Sequence, residues 1–106
     1  MSCLRRVWVL LIALVVGGSS PSGDLKRVEL LLDWKAQMEH AGFFVAKERG
    51  TYAEAGLDVE ILEGSGAPTT ARLGGNGTYK IGVASGSATV MARDKGIPVV
   101  SLAVIN

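Results

Sequence analysis

A single cysteine, a single histidine and no clustered basic side chains mark this 106-residue chain, and each scarcity closes off a class of function. Cys3 has no partner, so a disulfide-stapled fold is excluded. His40 has no second histidine to complete a zinc-type ligand set, so no metal site is expected. A net charge of +1 without a basic run leaves no electrostatic footprint for nucleic acid. The glycine spacing matches neither a phosphate loop nor a dinucleotide fingerprint. Ser85 and Ser87 flank Gly86 without a nucleophile-elbow pattern. The residues therefore predict no catalytic constellation, no cofactor and no enzymatic activity.

The longest apolar run, Val7–Val16, is ten residues. As a helix it rises about 15 Å, half of a bilayer core, and is too short to span one. Arg5 and Arg6 precede it and a Gly/Ser/Pro stretch follows, which is the layout of a secretory signal. Residues 1–23 are expected to be a signal peptide and linker, and residues 24–106 the folded part. Loss of Arg5 and Arg6 leaves 9 basic against 10 acidic side chains. The expected location is periplasmic or extracellular, with membrane contact only through an uncleaved leader or a membrane-bound partner.

Beyond the leader, the hydrophobic period alternates between strand-like and helix-like. Arg27–Asp33 contains the continuous apolar run Leu30–Leu32 and predicts an interior parallel strand. Met38–Arg49 then predicts a helix with Met38, Ala41, Phe44 and Val45 on its covered face. Thr51–Ala55 adds one helical turn before Leu57–Leu62, where apolar and acidic residues alternate as in a half-exposed strand nearer the sheet edge. A short helix over Pro68–Leu73 follows, with proline at its start. Thr78–Val83 predicts a third strand, Ser87 an N-cap for a helix over Ala88–Lys95, and Ile97–Ile105 a fourth, buried strand. Four strands joined by three helices through right-handed crossovers imply an α/β fold, a parallel sheet in a three-layer sandwich. The helix needed to cover the fourth strand would lie past Asn106, so a partial domain is expected.

Parallel strands bring their exit loops to one rim, and ligands of open α/β sheets bind there. Asp33, Trp34 and His40 follow the first strand, Ser65 and Gly66 the second, and Ser85 and Ser87 the third. Trp34 can stack on a planar ring or pack under the helix. His40 can donate to a ligand or cap the adjoining helix. These seven residues are the candidate ligand-binding set.

The segments LLLDW with a histidine six positions later, HAGFFVAKERGTYAEAGLDVEI and ARDKGIPVVSLAVI resemble the start of periplasmic substrate-binding proteins. The nearest resemblance is to the thiamine-pyrimidine-precursor group, with aliphatic sulfonate and taurine binders as relatives. This resemblance implies a class II periplasmic-binding-protein-like fold represented by the first part of lobe 1, with a second lobe absent. It further implies a small organic nutrient as ligand, most simply a thiamine pyrimidine precursor, delivered to an ABC permease and its ATPase. In that group the tryptophan and histidine line the pyrimidine site. Lys80, Ala36 and Gln37 depart from the acidic residue, proline and asparagine common at those positions. An exported sensor lobe is the alternative from another class. A thiamine pyrimidine synthase-like enzyme is a further alternative. Such an enzyme resembles this chain through the tryptophan and histidine segment but would hold pyridoxal phosphate on a lysine where Gly82–Ser85 contain no amine.

Overall fold

A computed structural model describes residues 23–105 of the chain. The expected signal peptide, Cys3 and most of the linker lie outside the described residues. Three strands, β1 (Lys26–Leu31), β2 (Leu57–Leu62) and β3 (Ile81–Gly82), form one sheet in the order β2-β1-β3, and both pairings are parallel. Four helices accompany them: α1 (Ala41–Glu48), α2 (Thr51–Glu54), α3 (Ala67–Gly75) and α4 (Gly86–Asp94). A 3-10 turn over Met38–His40 leads into α1. None of the described helices is long and apolar enough to cross a membrane.

The central position of β1 follows from its composition. Leu30, Leu31 and the adjoining Leu32 are buried, with Leu32 fully so, because a strand flanked on both edges needs apolar side chains on both faces. The alternating strand β2 takes the edge, burying Val59 and exposing Asp58. Register runs from Lys26 opposite Leu57 to Leu31 opposite Leu62, and Leu30 and Leu31 lie opposite Ile81 and Gly82. Helix α3 packs on this centre through buried Thr70 and Ala71. The Thr70 hydroxyl donates to the Leu32 carbonyl at 3.0 Å, closing a buried acceptor just past the end of β1. A side chain at Gly82 would come within 2.6 Å of the Thr70 methyl, so the close helix-on-strand approach depends on glycine.

Four expectations are corrected. The covered face of α1 is not Met38, Ala41, Phe44 and Val45: Met38 is 89% exposed, Phe44 and Val45 are exposed, and Ala41, Phe43 and Ala46 are half-buried. The 3-10 turn rotates the chain differently from an α-helix begun at Met38, so the phase of the helix is set from Ala41. The third strand is two residues rather than six. Thr78 donates its N–H and hydroxyl to the Asn76 side chain at 3.0 and 2.7 Å, and the N–H groups of Thr78 and Tyr79 also turn back to the Leu73 carbonyl, which removes them from any ladder.

Helix α4 begins at Gly86, and Ser85 caps it by accepting from the Ala88 N–H at 3.2 Å; Ser87 lies inside the first turn. Finally, Ile97–Ile105 forms no strand. Ile97 and Val99 are half-buried near Gly75, and the Arg93 guanidinium donates to the Val99 carbonyl at 2.6 Å, but Val100, Leu102, Val104 and Ile105 are exposed. Strand propensity without a ladder partner does not make a strand.

Candidate functional site

The exit loops of β1 and β2 are sewn together. Leu32 N–H donates to Leu62 O at 2.8 Å, Gly64 N–H to Trp34 O at 3.2 Å, and Gly66 N–H to Asp33 O at 2.6 Å. A methyl group at Gly64 would sit 1.9 Å from the Leu32 carbonyl oxygen, so only glycine admits this approach. Gly66 has φ of 129°, a conformation that side-chain-bearing residues rarely adopt, and its carbonyl accepts the Thr70 N–H of α3 at 3.0 Å. Glu63 closes the brace from the other side. Its carboxylate accepts the Ala36 N–H at 2.9 Å and the Lys35 ammonium at 3.0 Å, and these contacts hold its pKa below the usual glutamate range.

β3 adds the third side. Val83 N–H donates to Leu31 O at 2.8 Å, and continuing the β1–β3 register sets Asp33 level with Ala84. Asp33 and Trp34 thus stand between the β2 exit and the β3 exit. In the order β2-β1-β3 the chain leaves β1 toward one edge and reaches β3 on the other, which makes the β1/β3 boundary a topological switch point.

Within this rim the candidate residues divide by role. Trp34 is 51% exposed, so it faces solvent instead of being packed under the helix. Asp33 is half-buried. His40 is 1% exposed, and both ring nitrogens are engaged. Its Nδ1 accepts the Gln37 N–H at 3.2 Å, and its Nε2 lies 3.0 Å from Asp33 Oδ1. An Nδ1 that accepts carries no proton, so the neutral ring is the Nε2–H tautomer and donates to Asp33. His40 is therefore bonded to Asp33 and presents almost no surface to solvent. Ser85 and Ser87 are exposed with their hydroxyls 3.1 Å apart, and Ser65 is exposed beside Gly66.

Asp33, Glu39 and His40 are the one group of potential metal ligands among the described residues, with ligating atoms within 4.8 Å of one another. The tautomer opposes metal binding. A metal on Nε2 would require the ring proton on Nδ1, against the Gln37 N–H that already points there. Glu63, Lys35 and Thr70 have no role in the sequence reading, and Gln37 enters it only as a departure from the resembled group. Each acts through a partner 3 to 38 positions away, which hydrophobic period does not register; the pairing of Glu63 with Gly64 at the end of an alternating strand is the only local hint.

The NMT1/THI5-like family pattern matches residues 37–106. The chain is 35% identical over 85 residues to a formylaminopyrimidine-binding protein of Halalkalibacterium halodurans, covering 80% of this chain and 26% of that protein. It is 37% identical over 76 residues to a 4-amino-5-hydroxymethyl-2-methylpyrimidine phosphate synthase of Legionella pneumophila, covering 72% of this chain and 24% of the relative. A synthase of the same name from Saccharomyces cerevisiae is 32% identical over 77 residues, or 73% of this chain and 23% of the relative. The chain thus spans about a quarter of the length of these relatives.

These relatives overturn the expectation that enzymatic activity is excluded, since synthases stand beside a binding protein at similar identity. The expectation rested on the lack of a recognisable catalytic constellation and, against a synthase-like enzyme, on the missing amine at Gly82–Ser85. That absence holds, and Lys80 is exposed just before β3, but it concerns one stretch only. The rim carries an amine of its own, Lys35 Nζ, bonded to Glu63. A missing side chain in one loop therefore does not decide between binder and enzyme. The sheet, the rim and the matched segments converge on one assignment: the chain belongs to the NMT1/THI5-like family.

Proposed function

We propose that the rim formed by the exits of β1, β2 and β3 binds an aminopyrimidine of the thiamine-precursor class, and that the protein does so as the solute-binding component of an ABC importer. The observation that carries this reading is the placement of a half-exposed Trp34 beside Asp33 at the switch point, a flat apolar surface next to an acceptor. The relative named as a formylaminopyrimidine-binding protein supports the ligand class. In this reading residues 1–23 direct export, residues 24–106 form the first part of lobe 1 of a class II three-layer binding fold, and the protein works outside the cytoplasmic membrane with a permease and an ATPase as partners.

The relatives named as pyrimidine phosphate synthases favour a second reading, in which the same rim holds a pyrimidine during its synthesis. The two are separated by deleting the gene. Importer function predicts loss of uptake of labelled 4-amino-5-hydroxymethyl-2-methylpyrimidine with endogenous thiamine synthesis intact. Loss of synthesis with uptake intact overturns the importer reading in favour of the enzyme.

A further inference from the structure

The hydrogen-bond chain under the rim has a direction. The Gln37 N–H donates to His40 Nδ1, which leaves the ring proton on Nε2, and Nε2–H donates to Asp33 Oδ1. His40 is 1% exposed, so water does not compete for either nitrogen. Among the described residues no buried polar side-chain atom lacks a partner, and Asp33 Oδ2 has no hydrogen-bond partner among them; that oxygen is therefore accessible from outside, on a side chain 26% exposed. An ionised carboxylate only accepts. We propose that His40, locked as its Nε2–H tautomer by the Gln37 backbone, is a positioning residue that presents Asp33 Oδ2 as an acceptor, so that the rim selects heterocycles bearing an exocyclic amino group over their oxo counterparts. This inference rests on the aminopyrimidine reading above and adds the atom that discriminates and the group that aims it.

The lock also dictates what a conservative substitution does. In Asp33→Asn, the His40 Nε2–H faces the amide oxygen, because a donor cannot face the NH2 group. The NH2 is thereby turned to the rim, and the site changes from acceptor to donor. The exocyclic amino group then meets a donor, whereas an oxo group meets a partner.

Two measurements test this on the whole protein. Long-range proton–nitrogen correlation of the His40 imidazole should show protonation on Nε2 alone, before any ligand is added; protonation on Nδ1 overturns the lock. Binding of 4-amino-5-hydroxymethyl-2-methylpyrimidine and of its 4-oxo analogue should favour the amino compound by about 10-fold in the natural protein and reverse in Asp33→Asn, since an unpaired buried polar group costs a comparable factor. Binding of both compounds with a preference that Asp33→Asn does not move overturns the selection role while leaving the site in place. Binding of neither compound by the natural protein overturns the site reading itself, and the nitrogen spectrum still reports the lock independently.

Discussion

Gly64 gives the sharpest handle on how the rim is built. Replacing it with alanine places a methyl carbon 1.9 Å from the Leu32 carbonyl oxygen, 2.9 Å from its carbon and 3.1 Å from the Asp33 carbon. All three are backbone atoms, so no side chain can swing away. Since real Cβ contacts essentially never fall below 3.0 Å, the exit loops of β1 and β2 must part by at least the difference from 1.9 Å, or 1.1 Å.

The neighbouring bond from Leu32 N–H to Leu62 O is 2.8 Å, and the same displacement carries it beyond hydrogen-bonding range. One or two lost bonds at about 1 kcal/mol each, added to an overpacking penalty of about 1–3 kcal/mol, give a destabilisation of roughly 2–5 kcal/mol. For a domain of this size that lowers Tm by on the order of 10–30 °C. Thermal denaturation followed by circular dichroism measures it. Gly42→Ala is the control. Gly42 sits in α1 with nothing within 4 Å of the added carbon, so that variant should gain about 0.4–1 kcal/mol. A Gly64→Ala protein that melts within about 2 °C of the natural one would refute the claim that the two exit loops are fixed by backbone contact.

Two further predictions concern the ends of the rim. Ser85→Ala should destabilise by about 0.5–2 kcal/mol through loss of the α4 cap, while Ser87→Ala should change stability little, and urea unfolding of the pair of variants separates capping from mere proximity. The carboxylate of Glu63 is held below its usual pKa first by the Ala36 N–H and then by Lys35. Its contribution is therefore complete above the ordinary glutamate value and is lost as pH falls through the lowered one, so Glu63→Gln should flatten the acid limb of a stability-against-pH profile; an identical limb would show that the brace to Ala36 and Lys35 adds nothing.

Hydrophobic period made the centre of the fold legible. Leu30–Leu32 marks a strand buried on both faces, and the alternation of Leu57, Val59 and Ile61 with acids marks an edge; the sheet order bears out both. What the pattern missed depends on groups that compete for backbone bonds. Asn76 captures Thr78 and shortens β3, and the 3-10 turn at Met38 shifts the phase of α1. Ile97–Ile105 has the apolar composition of a strand without forming one, because propensity describes a side chain's fit to a sheet and not the presence of a neighbouring strand.

At the site, the positions of Asp33 and Trp34 followed from strand-end logic. The role of His40 did not, because it turns on which nitrogen accepts a backbone N–H three residues away. Ser85 and Ser87 were both placed at the rim, but which of them caps α4 depends on one residue of helix length.

In the proposed function Trp34 supplies the stacking surface of an aminopyrimidine site. The residue is 51% exposed, and base–aromatic stacking is worth about 1–3 kcal/mol. Titration calorimetry of the natural protein and of Trp34→Ala with 4-amino-5-hydroxymethyl-2-methylpyrimidine tests this directly. The Kd should rise roughly 5- to 150-fold with the circular dichroism spectrum unchanged. An unchanged Kd in the folded variant would contradict it.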